Sequence, residues 1–141
     1  MAAWLYPISK RAGRRLPLKG GRTWPISVDT YRTAVQRRLL PKRVKWYIAT
    51  NFHNVKQHDD VYIYMGDQDL GIIGYARVNK VEQNGDEWFL DLIFNLDWCS
   101  LLLKNPVPAK LIRKCIAPRA SVVNLTTHVR KFKRFLPISS R

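Results

Sequence analysis

The clearest pattern of hydrophobic and polar positions lies in the middle of the chain. Two runs rich in β-branched and aromatic residues, 61–65 and 72–78, are separated by a polar tetrapeptide at residues 66–69. This pattern predicts a β-hairpin with its turn at residues 66–69. Gly71 and Gly74 interrupt the second run, and glycine inside a strand marks a bulge, a bend or the close approach of another backbone. The hairpin is therefore expected to be curved.

The rest of the pattern predicts short strands and helices on both sides of this hairpin. Strands are predicted at residues 2–9, 87–94, 101–103 and 122–125. Helices are predicted at residues 28–40, 109–115 and 128–135. Ser27 is expected to cap the first helix, and Thr126 or Thr127 the last, because a hydroxyl oxygen at this position accepts a backbone N–H. Residues 10–22 and 41–45 are expected to be basic surface connectors.

This order of elements predicts a single α+β domain spanning residues 1–141. Short strands, tight turns and glycines inside a strand are typical of a small curved sheet or barrel, of about five to six strands flanked by helices. No apolar run approaches the roughly 20 residues of a membrane-spanning helix, and the first residues lack the features of a signal peptide. The cytoplasm, or the nucleus of a eukaryotic cell, is the expected location.

The net charge of +15 is concentrated at the two ends of the chain. Residues 1–45 contain 12 Lys or Arg against one acidic residue, and residues 104–141 contain ten against none. Residues 46–103 contain three against nine. If the ends meet in space, as domain termini often do, they form one positive face that attracts a polyanion.

Nucleic acid is the first expected partner of such a face, with DNA ahead of RNA, and the protein is expected to be a monomer. An anionic membrane is not expected, because no basic amphipathic helix with a broad apolar face is predicted. A basic structural protein of the ribosomal type is the remaining alternative.

Nine basic residues in the two connectors are the candidate contacts to the nucleic-acid backbone. They are Lys10, Arg11, Arg14, Arg15, Lys19, Arg22, Lys42, Arg43 and Lys45. Lys and Arg side chains bind phosphate oxygens without reading the base sequence. The connector at residues 10–22 is either such a phosphate-contacting arm or a flexible, solvated loop.

The residue types that catalyse reactions or bind metals are scattered. Cys99 and Cys115 lack the paired histidines of a zinc site, so both are expected to be buried free thiols. The histidines and aspartates within residues 53–60 are expected to be polar loop residues rather than metal ligands. The chain has no P-loop, zinc-protease, nucleophile-elbow or dinucleotide-binding motif. We therefore expect no enzyme activity, no catalytic residue, no metal and no cofactor.

An aromatic and amide cluster precedes the hairpin and consists of Trp46, Tyr47, Asn51 and Phe52. Two interpretations are open. The cluster either packs behind a curved hairpin or forms the wall of a pocket for a flat ligand. A base taken out of its stack loses a few kcal/mol, which aromatic faces can replace while hydrogen bonds to the base edge select it.

Four pieces of the sequence occur in an order that resembles the EVE domain of the PUA-like superfamily, to which YTH domains also belong. They are the Trp4-Leu5 strand, the basic loop and helix, the segment with Trp46, Asn51 and Phe52, and the run at residues 61–78. The resemblance covers nearly the whole chain. It implies a PUA-like pseudo-barrel that reads a modified base flipped into an aromatic cage. 5-Methylcytosine or 5-hydroxymethylcytosine in DNA are the first ligands it implies.

The resemblance also implies which residues form the base pocket. They are Trp46, Trp24, Ser27, Tyr64, Asn51 and Phe52. Asn51 or Ser27 would hydrogen-bond the base edge. Such a chain can be the recognition domain of a modification-dependent restriction nuclease, with a fused or partner nuclease domain. Two alternatives stay open: a PUA-like or YTH-like module that binds RNA and reads N6-methyladenine, and a PUA-like enzyme acting on nucleotides.

Overall fold

The computed structural model describes residues 2–8, 15–48, 51, 53–117 and 122–136. Within these ranges the chain forms a six-stranded sheet, a separate two-stranded hairpin and three α-helices. The predicted α+β class is confirmed, and the main sheet has six strands, while the two strands of the separate hairpin were not predicted. Four of the predicted site residues, Lys10, Arg11, Arg14 and Phe52, lie outside the described residues.

The main sheet is mixed. It contains β1 (Ala3–Ile8), β4 (Arg43–Ile48), β5 (Asp60–Met65), β6 (Gly71–Asn84), β7 (Glu87–Phe94) and β8 (Val123–Asn124). The strand order is β4-β7-β6-β5-β1-β8, in which β1 and β5 are parallel and every other pair is antiparallel. The predicted hairpin and the strands predicted at residues 2–9, 87–94 and 122–125 are therefore confirmed.

The remaining elements pack on the two faces of this sheet. They are the small hairpin of β2 (Arg15–Pro17) and β3 (Thr23–Pro25), the helices α1 (Val28–Gln36), α2 (Leu96–Lys104) and α3 (Ala109–Arg113), and a 3-10 helix (Thr126–Phe135). Two short 3-10 turns lie at Lys19–Gly21 and Asp67–Asp69. The first hydrophobic core lies on the α1 side of the sheet, and the second lies on the side of α3 and the 3-10 helix.

Both glycines of the central hairpin allow the close approach that the sequence predicts. The register of β5 against β6 shifts opposite Gly74, which marks a bulge. A Cβ atom on Gly74 would lie 2.7 Å from the Tyr31 hydroxyl oxygen, and one on Gly71 would lie 1.8 Å from the Val107 carbonyl oxygen. No larger residue fits either position without movement of its neighbours.

The sheet is curled so that β4 and β1, which are first and fifth in its spatial order, approach each other. The Tyr6 hydroxyl of β1 donates a hydrogen bond to the Tyr47 carbonyl of β4, and the rings of Tyr6 and Trp46 stack at 5.3 Å. The Asn51 amide donates to the Val122 carbonyl at 2.8 Å, next to β8. In a flat sheet β1 and β4 would be about 19 Å apart, four strand spacings, which no tyrosine side chain can span.

One predicted strand, at residues 101–103, is wrong because these leucines belong to α2. Asn95 caps this helix, since its Oδ1 accepts the N–H of Trp98 at 3.0 Å. The buried residues Trp98, Cys99 and Leu102 follow a helical spacing rather than the alternation of a strand.

The two basic connectors contain more structure than predicted. Residues 15–17 form β2, and Leu16 and Leu18 are buried in the first core, so the segment at 10–22 is not entirely a surface connector. The predicted connector at 41–45 includes the start of β4 at Arg43. Isolated leucines among lysines, arginines and glycines show no periodicity, which is why the pattern missed them.

The first and last helices differ from their predictions at one end. The helix α1 ends at Gln36 instead of residue 40, and Arg38 adopts a left-handed backbone with φ of 57°. The last helix is a 3-10 helix that begins at Thr126, without a side-chain cap. The Thr126 hydroxyl instead accepts the N–H of Ala3 at 3.0 Å, which fastens the helix to β1.

Candidate functional site

The predicted aromatic pocket is not assembled as one site. Trp46 is 6% exposed in the first core, where it stacks on Tyr6 and meets the edge of Phe94 at 5.6 Å. Tyr64 belongs to the second core, on the other face of the sheet. The side chains of a strand point alternately to its two faces, and those of Trp46 and Tyr64 point to opposite faces of the sheet. They cannot line the same pocket, and the predicted shared pocket is wrong in this respect.

Ser27, Asn51 and Trp24 have structural contacts of their own. Ser27 caps α1 as predicted: its hydroxyl oxygen accepts the N–H of Thr30 at 3.1 Å, within a complete capping box. The Asn51 amide nitrogen donates to Val122, and its oxygen accepts from Asn54 at 3.1 Å. Trp24 is half-buried in β3 against the first core. The hydrogen-bonding groups of Ser27 and Asn51 are therefore already engaged.

Two of the predicted phosphate contacts are paired with acids on the outer face of the sheet. Arg43 donates to Asp91 at 2.7 Å, and Lys45 lies 2.7 Å from Glu82. Hydrogen bonds from Lys45 and from Lys80 lower the pKa of Glu82 to about 2. These ion pairs make Arg43 and Lys45 less able to attract a phosphate.

The other described basic residues of the prediction are exposed. Arg15 lies on the small hairpin, where its guanidinium donates to the Thr23 hydroxyl at 3.2 Å. Arg22 lies just before β3 on the same hairpin. Lys19 lines a cavity between α1 and α2, and Lys42 lines a neighbouring cavity between β6, β7 and the start of α2.

These two cavities form one cleft, which we call the α1–α2 cleft. Their volumes are about 630 and 420 Å³, and both are lined by Arg38, Leu96 and Asp97. The larger cavity is completed by Lys42, Tyr75, Arg77, Ile93, Phe94 and Asn95. The smaller one is completed by Lys19, Ala34, Val35, Gln36, Leu40, Cys99, Ser100 and Leu101. The cleft is thus of a size to hold one or two nucleotide units.

Backbone hydrogen bonds hold the walls of the cleft in place. The N–H of Phe94 donates to the Lys42 carbonyl at 2.7 Å, which joins the end of β7 to the segment before β4. The N–H of Asn95 donates to the Tyr75 carbonyl at 3.1 Å, which joins the start of α2 to β6. Arg38 lies at the turn after α1 and reaches both cavities.

The cleft is strongly positive. Its described lining contains four cationic side chains, Lys19, Arg38, Lys42 and Arg77, against the single carboxylate of Asp97. Within the part of the chain that the structure describes, Lys19, Arg38 and Lys42 form no ion pair, although five other basic residues of the protein do. Among the described residues, the cations that line the cleft therefore outnumber its carboxylate.

Tyr75 gives the cleft a supported aromatic wall. Its ring lies 4.6 Å from that of Trp98 and 5.3 Å from that of Tyr62. Its hydroxyl donates a hydrogen bond to Asp60. Burial, with the Asp60 hydrogen bond and charge, raises the pKa of Tyr75 to about 12. The Tyr75 side chain is thus neutral at physiological pH and held in one orientation.

The sequence analysis missed Arg38, Tyr75, Arg77 and Asn95 as site residues. The spacing of Tyr75 and Arg77 places them on the same face of a strand, which was a usable signal. Arg38 gave no such signal, because its position depends on where α1 ends. These residues come from three segments that are distant in the chain and lie together only in the folded protein.

The loop at residues 53–60 has a structural role. Asp59 is 3% exposed and accepts hydrogen bonds from Trp4 Nε1 at 3.0 Å, from the N–H of Ala2 at 3.1 Å and from the N–H of Lys56 at 2.9 Å. Asp59 is therefore a buried anchor for β1 rather than a solvated loop residue. Across the described ranges, no three residues of the types His, Cys, Asp and Glu come close enough together to hold a metal ion.

Comparison of the chain with models of known families, with curated proteins and with solved structures finds no match. None of the helices in the described ranges has the length and apolar character needed to cross a membrane.

Proposed function

We propose that the protein binds nucleic acid and holds one unpaired nucleotide in the α1–α2 cleft. The observation that carries this proposal is the combination of Lys19, Arg38 and Lys42, which form no ion pair among the described residues, with the ring of Tyr75 in one cleft. A nucleotide complements these two features, because its anionic phosphate attracts cations and its flat base stacks on an aromatic ring.

The cations account for the phosphate end of the ligand. Lys19, Arg38 and Lys42 attract the backbone, and the counterions released on binding make the affinity fall with salt. Arg38 lines both cavities, so its guanidinium can bind the phosphates of two successive nucleotides. The exposed Arg15 and Arg22 on the small hairpin extend the same charge beyond the cleft.

Tyr75 accounts for the base end of the ligand. Its neutral ring, backed by Trp98 and Tyr62, offers a stacking surface, and stacking on an aromatic residue contributes about 1–3 kcal/mol per base. The Asn95 side-chain oxygen is engaged by the N–H of Trp98, and its NH2 group is left to donate to an acceptor on the base edge.

We further propose that the base is a modified one, with 5-methylcytosine or 5-hydroxymethylcytosine in DNA as the first ligands. The curled sheet, in which Tyr6 contacts Tyr47, is compatible with the PUA-like arrangement that the resemblance implies. The single carboxylate of the described cleft, Asp97, favours a reader over a nucleotide-processing enzyme. In this proposal the chain is the recognition module of a modification-dependent nuclease.

The test compares one labelled duplex carrying cytosine, 5-methylcytosine, 5-hydroxymethylcytosine or N6-methyladenine, together with the matching RNA strands. We expect one modified DNA to bind at least about tenfold more tightly than plain DNA, which corresponds to about 1.4 kcal/mol. The double variant Arg38→Gln/Lys42→Gln should weaken binding to all forms, because it removes phosphate contacts.

The matched control is Arg37→Gln/Lys56→Gln, which removes the same charge from exposed residues that line neither cavity and form no ion pair among the described residues. Equal effects of the two double variants would sink the assignment of the cleft. Equal affinities for the four duplexes would overturn modified-base reading. Tighter binding to RNA carrying N6-methyladenine would replace DNA by RNA as the ligand.

A further inference from the structure

The C-terminal part of the chain carries a second group of exposed cations, away from the cleft. Its members, which we call the C-terminal basic surface, are Lys110, Lys114, Arg130, Lys131, Lys133 and Arg134. Arg113 of the same region is paired with Asp69 at 3.0 Å, but no ion pair to these six occurs among the described residues. From residue 98 to the C-terminus the sequence contains no acidic residue.

The 3-10 helix presents these cations in a regular way. With three residues per turn, Val129, Phe132 and Phe135 share one edge. Phe132 is buried in the second core, and the other two residues pack against it. Arg130 and Lys133 share the second edge, and Lys131 and Arg134 share the third. All four cations therefore project from the helix into solvent.

Local contacts join this helix to α3 and hold one of its cations. The Lys131 ammonium lies 3.9 Å from the Cys115 sulfur, just after α3. The Arg134 guanidinium lies 4.8 Å from the centre of the Phe135 ring. The edge of the 3-10 helix that carries Lys131 and Arg134 thus lies beside the end of α3.

The helix α2 separates this surface from the α1–α2 cleft. Its Leu96, Asp97 and Ser100 line the cleft, whereas its Trp98 and Leu102 pack in the second core with α3 and the 3-10 helix. A helix is about 10 Å across, which equals about three base-pair steps of 3.4 Å. A trinucleotide contains only two such steps, about 7 Å, which is less than the width of the helix, whereas a longer strand can extend from the cleft to the C-terminal basic surface.

We propose that the C-terminal basic surface binds the phosphate backbone of the same nucleic acid, beyond the nucleotide in the cleft. This inference rests on the proposed function and adds a second contact that depends on ligand length. A membrane fits less well, because the apolar edge of the 3-10 helix is already packed in the core. The exposed large hydrophobic side chains of the described residues are Tyr47 and Leu101, and neither lies on this surface.

The experiment measures the affinity of the full chain for a single strand of about 20 nucleotides and for a trinucleotide of the same composition. The test variant is Arg130→Gln/Lys133→Gln, whose side chains share one exposed edge. The control is again Arg37→Gln/Lys56→Gln. For the long strand we expect the test variant to lose about threefold to tenfold in affinity and to flatten the slope of log K against log salt by about 1.4. The control should change neither.

The outcomes separate the two proposals. Loss of affinity for the long strand with unchanged binding of the trinucleotide supports the second surface. If test variant and control bind the long strand equally, the second surface is overturned, whatever the cleft does. If Arg38→Gln/Lys42→Gln leaves both ligands unaffected, the cleft assignment fails while the second surface stands on its own result. If instead the test variant loses binding to phosphatidylserine vesicles and keeps its affinity for the long strand, the surface binds lipid and our inference is wrong.

Discussion

Arg38 shows how much of the cleft depends on a single backbone conformation. Its φ of 57° lies in the left-handed region, which costs a residue with a Cβ atom about 1 kcal/mol or more relative to glycine. This conformation turns the chain after α1 and places the side chain between the two cavities. The neighbouring Arg37 has an ordinary φ of −89° and lines neither cavity.

Replacing Arg38 by glycine should separate stability from binding. In Arg38→Gly the strain is relieved, so the free energy of unfolding should stay level or rise by up to about 1 kcal/mol, while the affinity for nucleic acid falls. In the control Arg37→Gly the free energy of unfolding should fall by roughly 0.5–1 kcal/mol, with affinity nearly unchanged. Urea denaturation and a binding titration measure both. Equal destabilisation by the two changes would contradict the strain at Arg38.

Among the elements, β6 depends most on its glycines. It is the longest strand, Gly71–Asn84, and it pairs with both β5 and β7. Gly71 has φ of 105° and lies against the backbone that precedes α3, where Ile72 and Val107 exchange backbone hydrogen bonds at 2.9 and 3.2 Å. The close approach at Gly71 thus joins β6 to the segment between α2 and α3.

Gly71→Ala should therefore be far more damaging than alanine at another glycine with positive φ. We expect a loss of at least about 3 kcal/mol in the free energy of unfolding, because the new methyl group overlaps a backbone carbonyl. Gly85 is the matched control: its φ is 62°, and nothing lies within 4 Å of an added Cβ atom. Gly85→Ala should cost about 1 kcal/mol. A similar urea midpoint for the two variants would show that β6 can move away from Val107.

At the scale of the whole molecule, the two hydrophobic cores bury ionisable groups that are neutral at physiological pH. Burial raises the pKa of the Cys99 thiol to about 11. It also raises the pKa of Tyr31 and of Tyr62, and, together with Asp60, it raises that of Tyr75 to about 12. In the unfolded chain the same groups titrate near their ordinary values of 9.0 and 10.0.

The protein should therefore lose stability in alkali. Below about pH 9 these groups are protonated in both states, and their contribution is fully present. As the pH rises the unfolded chain releases protons first, so the free energy of unfolding falls until the folded pKa values near 11 and 12 are passed. Urea midpoints between pH 7 and 11 measure this. The variant Cys99→Ala should have a lower urea midpoint than the wild type at pH 7, but its midpoint should fall less between pH 9 and 11. A wild-type urea midpoint that does not change with pH would rule out the effect.

The sequence by itself determined the features that depend on near neighbours in the chain. Runs of β-branched and aromatic residues predicted β5 and β6, and alternation predicted β7, because a strand repeats every two residues whatever it pairs with. The hydroxyl of Ser27 before an apolar helix predicted the cap of α1, and the glycines of the second run predicted a bulge and a close approach. It misplaced residues 101–103, since a short apolar run fits a helix and a strand equally well.

Only the tertiary structure decided which side chains share a site. Trp46 and Tyr64 were natural partners in one pocket by residue type, but strand order and strand parity put them on opposite faces of the sheet. The cleft joins Arg38, Tyr75 and Asn95 because α1 ends early and the sheet curls, and neither event leaves a local pattern. Local rules specify each element, whereas the composition of a site depends on how distant elements pack.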